Sequence, residues 1–274
     1  MRLLKAFCSV DELLFPPRCV FCGDTLPTGE TEAARLTSRG NPLFADVPLC
    51  ADCQDVFTPE ALISCRFCGA FLKGVFLTNQ RCSICRNWKT AVDSVTPLGE
   101  YVGVLRDAVL AAKLSKYRPL GQALALMLYH YRGKLLRMQK PDVIIPMPMH
   151  WFYHWVRGVN NPRTLADVLS QRLKVPVANL LHVTRMTLSQ RSVPTEQRRQ
   201  NVENLFAPHK RADLRAWEGK RALLVDDVFT TGATADAAAW VLKEQFHFST
   251  VSVAVLARAM GHTKKPQFHG SGRI

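Results

Sequence analysis

Three short apolar runs rich in β-branched residues lie in the last two-thirds of the chain, at residues 142–149 (DVIIPMPM), 221–225 (RALLV) and 249–257 (STVSVAVLA). Runs of this length and composition are typical of strands that are covered on both faces in a parallel sheet. Residues 92–102 also have the composition of an extended segment. The pattern therefore predicts that the core of this part of the chain is a buried sheet.

Helical periodicity separates these runs and predicts four helices, at residues 103–114, 120–136, 162–173 and 234–246. For the third helix, Asn161 is the predicted N-cap and Pro162 the first helical residue. Strands that alternate with helices are typical of an α/β domain with a mainly parallel sheet flanked by helices. We place this domain at residues 91–260 and expect residues 261–274 to form a flexible tail.

The first third of the chain has a different composition, because eight of the nine cysteines form four C-x-x-C pairs there and none follows Cys85. The paired residues are Cys19, Cys22, Cys50, Cys53, Cys65, Cys68, Cys82 and Cys85. A two-residue gap lets one tight turn direct two sulfurs at one Zn²⁺, and four thiolates close a tetrahedral structural site. The cysteines therefore predict two structural zinc ions within residues 1–90.

Sequential pairing is favoured, with the first two pairs on one ion and the last two on the other, although the spacing also allows a cross-braced arrangement. A disulfide framework, an iron–sulfur cluster and a redox dithiol are the competing interpretations. Cys8, outside the pairs, is expected to be a buried thiol. The polar residues 28–42, between the first two pairs, are expected to form an exposed insertion.

No apolar run reaches the roughly 18 residues that would span a bilayer, so we expect no membrane span. Residues 1–15 are interrupted by Lys5, Asp11 and Glu12, which argues against a signal peptide and leaves a short amphipathic helix over residues 1–18 as the prediction. We therefore expect a cytoplasmic protein, and a cytoplasmic location disfavours the disulfide interpretation of the cysteines.

The chain carries 36 Lys and Arg against 22 Asp and Glu, a formal net charge of +14. Two zinc sites of four thiolates each would lower that charge by about four, because ligating sulfurs are deprotonated. The remaining excess predicts an anionic partner, such as nucleic acid, a nucleotide or a polyphosphate.

Two adjacent acids, Asp226 and Asp227, stand at the end of the second apolar run in the segment 223–234, LLVDDVFTTGAT. α/β sheets bind ligands beyond the carboxyl ends of their strands, which is where this segment is expected to lie. Carboxylates accept hydrogen bonds from vicinal sugar hydroxyls, directly or through a divalent cation. The hydroxyls and backbone N–H groups at the following helix N-terminus suit a phosphate. These loop residues are Thr230, Thr231, Gly232, Ala233 and Thr234.

The segment therefore predicts a site for a ribose 5-phosphate. A metal-dependent nucleotidase site is a competing interpretation, but the chain lacks the G-x-x-x-x-G-K-[ST] pattern of the ATPase phosphate loop. The other competing interpretation is a solvated strand end followed by a turn and a helix cap.

The segment VDDVFTTGAT resembles the phosphoribosyl-pyrophosphate binding motif of type I phosphoribosyltransferases, and the rest of the chain is similar to the ComF family of phosphoribosyltransferase-like proteins associated with natural competence. The similarity also rests on residues 115–125 (SKYRPLGQALA), 144–150 (IIPMPMH), 157–161 (RGVNN) and 187–201 (TLSQRSVPTEQRRQN). The resemblance implies a small double zinc-ribbon module followed by a type I phosphoribosyltransferase-like domain.

The resemblance also implies roles for individual residues: Asp226 and Asp227 would hold the ribose hydroxyls, and residues 230–234 the 5-phosphate. The loop after Ile145 would approach the Mg²⁺-bound pyrophosphate. Further basic residues match family positions and are expected to face the site or to close over the ligand. These residues are Lys116, Arg157, Arg198 and Arg199.

The chain departs from the family at residues 151–156, where WFYHWV replaces a proline and several basic residues. The aromatic residues there either pack in the core or against the zinc module, or stack on nucleic-acid bases. The family's RGFNQ-like segment is also altered, to RGVNN.

Two functional hypotheses follow. The first is a protein that binds phosphoribosyl pyrophosphate with Mg²⁺ and acts in DNA uptake, with turnover left open because no residue identifies an acceptor base. The alternative is a zinc-ribbon protein of the competence machinery without turnover, which binds single-stranded DNA or serves as a scaffold for a helicase or channel component.

Overall fold

A computed structural model describes residues 16–26, 37, 39–59, 63–72, 81–149, 160–184 and 205–260. In chain order, the helices and strands are α1 (Ala51–Phe57), β1 (Ser94–Glu100), α2 (Gly103–Ala111), α3 (Arg118–Met138), β2 (Val143–Pro146), α4 (Asn161–Leu173), β3 (Leu181–Val183), β4 (Phe206–Pro208), β5 (Arg221–Phe229), α5 (Ala233–Phe246) and β6 (Thr250–Arg258). Short 3-10 helices cover Ser115–Tyr117 and Arg215–Trp217.

The centre of the fold is a parallel sheet with the strand order β1-β6-β5-β2. β3 and β4 form a separate antiparallel pair. Because these four strands run in the same direction, their carboxyl ends lie at the same end of the sheet. Phe229 of β5 lies beside Arg258 of β6 at this end. The α/β fold with a mainly parallel sheet is therefore confirmed.

Alternate residues of β5 enter two different cores, as expected for a strand covered on both faces. Leu223 and Val225 pack with residues of α2, α3 and α4 on one face. Leu224 packs with α5 and the β3–β4 pair on the other. The apolar runs of the sequence are buried strands for this reason.

The structure corrects two predicted boundaries. The third predicted helix begins one residue early, since Asn160 is its N-cap and accepts a hydrogen bond from Arg163 N at 3.3 Å, while Asn161 is the first helical residue and Pro162 the second. The strand predicted at residues 221–225 continues to Phe229, so both acids lie within β5 rather than after it.

The two turns that carry the first four paired cysteines pack on the face of the sheet that α2, α3 and α4 cover. Cys19, Cys53 and Phe57 share a core with these helices. Asp46 joins this module to the helices by accepting from His130 Nε2 at 2.7 Å and from Arg172 Nη2 at 2.5 Å.

Within the insertion between these turns, the described residue Thr37 is buried and its hydroxyl donates to Asp55. The expectation of a wholly exposed insertion was therefore wrong at this residue, because its hydroxyl has a carboxylate partner inside the module.

The two turns that carry Cys65, Cys68, Cys82 and Cys85 lie beside β1, the outermost strand on one side of the sheet. Val95 N, in β1, donates to Arg66 O at 2.8 Å, and a Cβ on Gly69 would come within 2.9 Å of a methyl group of Val95. Trp88 packs both against the second group of cysteines and against the core on the α5 side of the sheet.

Several predictions fall outside the described residues: the N-terminal helix for the most part, Cys8, the aromatic cluster at residues 151–155 and the tail at residues 261–274. Among the described helices, none combines the length and apolar character needed to cross a bilayer.

Candidate functional site

The eight paired cysteines form two clusters in the order of the sequence. Cys19, Cys22, Cys50 and Cys53 make the first cluster, and Cys65, Cys68, Cys82 and Cys85 make the second. Within each cluster the sulfur atoms lie within 4.8 Å of one another.

The sulfur separations suit a tetrahedral metal site. In the second cluster, Cys68 and Cys82 Sγ lie 3.5 Å apart and Cys65 and Cys85 Sγ lie 3.7 Å apart. A Zn²⁺ ion with four sulfurs at about 2.3 Å requires sulfur atoms about 3.8 Å apart. The donor set and the spacing therefore fit zinc, and both clusters could hold one ion.

The acid pair lies at the carboxyl end of β5. The register places Asp226 opposite Val255 of β6, and Asp227 N donates to Asp226 Oδ1 at 2.8 Å. This local hydrogen bond fixes the Asp226 carboxyl group close to its neighbour. Two acids are thus held together at the edge where all four parallel strands end.

Lys113, just after α2, forms an ion pair with this site: its Nζ lies 2.7 Å from Asp227 Oδ2, and both side chains are half-buried. Burial, followed by the charge of Asp227, raises the pKa of Asp226 to about 8. At neutral pH Asp226 therefore keeps its proton, and Lys113 is the cation paired with Asp227.

The turn after β5 is shaped by Gly232 and Phe229. Gly232 has φ +83°, and a Cβ at this position would lie 2.7 Å from Phe229 Cζ. Only glycine satisfies both the backbone conformation and the space beside the ring. Ala233 N donates to Thr231 Oγ1 at 3.4 Å, and α5 begins at Ala233.

Arg258 supports the same turn from inside the protein. It is 2% exposed and donates from Nη1 to Phe229 O at 3.1 Å and to the carbonyl oxygens of Thr230 and Ala259. Burial lowers the pKa of Arg258. Its carbonyl partners satisfy guanidinium donors that would otherwise be costly to bury.

Comparisons with known proteins agree with this architecture. Residues 162–271 match the family described as "Phosphoribosyl transferase domain". The chain is 29% identical over 225 residues to Competence protein F of Haemophilus influenzae, covering 81% of this chain and 95% of that protein. It is also 29% identical over 252 residues to DNA utilization protein YhgH of Escherichia coli O157:H7, covering 90% and 100%.

The resemblance to the ComF family is therefore confirmed: these relatives align with most of the chain, and two clusters of four cysteines accompany the phosphoribosyl transferase match. Purine phosphoribosyltransferase from Pyrococcus horikoshii is a similar solved structure, with 22% identity, a TM-score of 0.29, and coverage of 56% of this chain and 72% of that one. The residues matched to the phosphoribosyl transferase domain include α4, β5, α5 and β6, and β1 joins the same sheet through β6.

The ComF resemblance proposed several basic residues for the site, and the structure describes only one of them. Lys116 is exposed, and its Nζ lies 4.9 Å from the centroid of the Tyr117 ring. Arg157, Arg198 and Arg199 lie outside the described residues.

Lys113, which the sequence did not single out, is the lysine that contacts the acid pair. A signal for it would have been its place at the end of a helix that leads away from the carboxyl end of β1.

The ComF block at residues 115–125 also contains a packing residue. A Cβ on Gly121 in α3 would lie 2.6 Å from Asn161 Oδ1, so α3 and α4 approach closely at this point. The altered RGVNN segment thus places its last asparagine in a buried helix contact rather than at a cap.

Proposed function

We propose that this chain binds phosphoribosyl pyrophosphate with Mg²⁺ at the carboxyl end of β5 and acts in DNA uptake or utilization. The observation that carries the proposal is the acid pair Asp226 and Asp227, held in β5 directly before a glycine turn that opens α5. The residues that we propose to bind the ligand are Asp226, Asp227 and residues 230–234.

The turn suits the 5-phosphate. α5 runs from Ala233 to Phe246, and its N-terminus carries a partial positive charge from aligned peptide dipoles. The positive φ of Gly232 turns the chain sharply before the helix. The N–H groups and threonine hydroxyls of this turn are the groups that we propose for the phosphate. A dianionic phosphate is the ligand that such a turn favours.

The acid pair suits the ribose. With a proton on Asp226, and with Asp227 paired with Lys113, the two acids can both donate to and accept from vicinal hydroxyls. Mg²⁺ prefers carboxylate oxygens and phosphate oxygens as ligands, so the pair can also contact the ion directly or through water. Either arrangement would release Lys113 from Asp227, and its ammonium group could then turn to the pyrophosphate.

The cellular role comes from the relatives. Competence protein F and DNA utilization protein YhgH both align with most of this chain, and their names refer to competence and to the use of DNA. We propose the same setting for this protein. The proposal concerns binding, and turnover would further require an acceptor that attacks C1 of the ribose as pyrophosphate leaves.

Isothermal titration tests the binding proposal. Phosphoribosyl pyrophosphate with Mg²⁺ is titrated into the zinc-loaded protein and into the double variant Asp226→Asn, Asp227→Asn. We expect micromolar affinity in the wild type and a loss of at least about 100-fold in the double variant, because hydrogen bonds to charged groups contribute strongly.

The matched control is Asp167→Asn, which changes an exposed acid paired with Arg163 on α4. It should bind as the wild type does. Absence of binding to the wild type, or equal affinity in wild type and double variant, would refute the proposed site.

Single-stranded DNA is a second candidate ligand, favoured by the formal net charge of +14. Binding that neutralises phosphates releases cations, so the logarithm of the binding constant should fall linearly with the logarithm of the salt concentration. Fluorescence anisotropy with a labelled oligothymidine between about 50 and 200 mM salt measures this slope. Affinity independent of salt would exclude an electrostatic DNA interface.

A further inference from the structure

Arg258 connects the second cysteine cluster to the turn after β5. Its Nε donates to Cys68 O at 2.7 Å, and its Nη1 donates to Phe229 O at 3.1 Å and to Thr230 O. These three carbonyl groups belong to two separate parts of the fold, and a fourth acceptor, Ala259 O, directly follows Arg258 in the chain. One guanidinium group therefore fixes the distance between them.

Both turns of the second cluster contact Arg258. Cys68 belongs to the first of these turns and supplies the carbonyl oxygen. Trp88 follows the second turn, with its N–H donating to Cys85 O at 3.0 Å, and its ring centroid lies 5.9 Å from Arg258 Cζ. A metal ion that draws the four sulfurs together would therefore also fix the two groups that hold Arg258.

On the opposite side, Arg258 lies against the residue that shapes the turn. Its Cζ is 5.1 Å from the centroid of the Phe229 ring, and that ring fills the space where a side chain on Gly232 would lie. The chain of contacts runs from Cys68 through Arg258 and Phe229 to Gly232. Each step is a buried hydrogen bond or ring contact.

A second link joins the same regions beyond the turn. Asp236, in the first turn of α5, accepts from Thr90 Oγ1 at 2.8 Å and from Ala91 N at 2.7 Å. Thr90 and Ala91 lie two and three residues after Trp88 in the chain. The segment that leaves the second cluster therefore holds the start of α5, while Arg258 holds the turn before it.

We propose that the second cysteine cluster sets the conformation of the turn at residues 229–232 through Arg258, so that metal in the cluster and an anionic ligand at the turn stabilise each other. Arg258 is in this sense a positioning residue. Coupling of this kind is reciprocal: a metal that orders the turn strengthens ligand binding, and a bound ligand strengthens metal retention by the same factor.

The proposal requires an arginine at this position. A lysine at position 258 would keep the positive charge, but its single ammonium group cannot present the planar set of donors that reaches Cys68 O and the turn carbonyls together. Arg258→Lys should therefore uncouple the turn from the cluster without removing the charge.

Arg132 offers a matched control. It is 1% exposed, its Nε donates to Pro97 O at 3.0 Å, and its Cζ lies 5.6 Å from the centroid of the Phe71 ring. It is therefore as buried as Arg258 and likewise bonded to a main-chain carbonyl. These two contacts lie in β1 and beside the second cluster rather than at the turn. Arg132→Lys imposes a similar cost of burial at another place.

Hydrogen–deuterium exchange of the full zinc-loaded chain measures the coupling, with the peptide covering residues 229–240 as the readout. We expect amide exchange at residues 230–236 to rise by about tenfold or more in Arg258→Lys, because hydrogen bonds from a charged donor are lost. Arg132→Lys should leave exchange in this peptide unchanged.

A second arm removes the metal and keeps Arg258. Cys82→Ser opens the second cluster and should raise exchange in the same peptide, while Cys22→Ser opens the first cluster and should not. Zinc content is measured for each protein by a colorimetric chelator. If Arg258→Lys does not fold, this arm decides the question.

Unchanged exchange at residues 230–236 in Cys82→Ser, with the second metal shown to be absent, would overturn the proposal. Equal increases in amide exchange at residues 230–236 in Arg258→Lys and Arg132→Lys would also overturn the proposal.

The choice of ligand rests on the proposed function, whereas the coupling of cluster and turn does not. If the wild type does not bind phosphoribosyl pyrophosphate, the proposed function fails, and the exchange experiment still decides whether Arg258 couples the cluster to the turn. If the wild type binds and Arg258→Lys binds at least about tenfold more weakly, both stand. Equal affinity in the two proteins, together with unchanged exchange, would refute the coupling alone.

Discussion

Replacing Asp226 by asparagine should make the protein more stable, although it removes a proposed ligand-binding group. In the wild type, burial and the neighbouring charge of Asp227 disfavour ionisation of Asp226. Asparagine has nearly the same shape and carries no charge. Its Oδ1 can still accept the 2.8 Å hydrogen bond from Asp227 N, so the substitution removes the electrostatic cost and little else.

The size of this cost follows from the pKa. Folding raises the pKa of Asp226 from an ordinary value of 3.8 to about 8. At about 1.4 kcal/mol for each pH unit between these values, the upper limit is about 6 kcal/mol above pH 8. Water at the edge of the sheet and relaxation around the charge lower that limit. We expect Asp226→Asn to stabilise the protein by about 2–3 kcal/mol at pH 8.5.

The effect has a defined pH dependence. Between pH 4 and pH 8, the folded protein keeps the Asp226 proton and the unfolded chain releases it, so the folded state binds more protons. The contribution of Asp226 to wild-type stability therefore falls as pH rises through this window and is level above it. Since asparagine does not titrate, the stability difference between variant and wild type should grow from pH 5.5 to pH 8.5.

Urea unfolding of both proteins at pH 5.5, 7.0 and 8.5 measures that difference, and the titration of other groups cancels between them. Asp142→Asn is a control of opposite sign, because hydrogen bonds from Arg221 lower the pKa of the half-buried Asp142. This control should lose less than about 1 kcal/mol at neutral pH. A difference for Asp226→Asn that is zero, or that stays constant from pH 5.5 to pH 8.5, would refute the reasoning.

Two further substitutions and one metal analysis test the site and the clusters. Gly232→Ala should lower the free energy of unfolding by about 2–3 kcal/mol, because it combines a positive φ with a Cβ 2.7 Å from Phe229 Cζ. Gly219→Ala, with φ +71° and open space around its Cβ, should lower it by only about 1 kcal/mol; thermal unfolding measures both. Lys113→Met should lower the free energy of unfolding by about 1 kcal/mol or more at pH 7, since it leaves a half-buried carboxylate unpaired; the exposed Lys116→Met should change it little. Acid release and metal analysis should find about two zinc ions per chain, and iron or no metal would contradict the cluster assignment.

The strands were predictable because burial on both faces requires continuous apolar runs, and residues such as Leu223, Leu224 and Val225 satisfy two cores at once. The end of β5 was not. Two acids interrupt the apolar pattern, but the main chain continues to pair with β6 as far as Phe229. Backbone pairing is decided by the neighbouring strand, which a pattern of side chains along one segment does not report.

The N-cap of α4 could likewise not be predicted to the exact residue. Asn160 and Asn161 are adjacent and chemically identical, so the sequence alone cannot tell the cap from the first helical residue. The structure separates them by packing: Asn161 faces Gly121 on α3, and Asn160 is left to accept from Arg163 N. Tertiary contact between two helices therefore selected the cap.

The long-range partners of the site had only a weak local signal. Lys113 is more than 100 positions away from Asp227 in the sequence, and Arg258 is nearly 200 away from Cys68. Both are basic residues at the ends of regular elements, where a solvated side chain is the ordinary expectation. Only the sheet order, which brings β1, β6 and β5 together, places them beside the acids and the cluster.

The acid pair, Lys113 and Arg258 are best explained together as features that cost stability and are kept at one edge of the sheet. A protonated carboxyl group, an ion pair across two elements and a buried guanidinium group each oppose folding unless a partner compensates. Folding alone would be served as well by apolar residues at these positions. Their grouping at the carboxyl end of β5 and at the turn after it is what the proposed binding site for a charged ligand requires. Charged groups that repel one another or lack water in the free protein gain most when an anion and its cation bind.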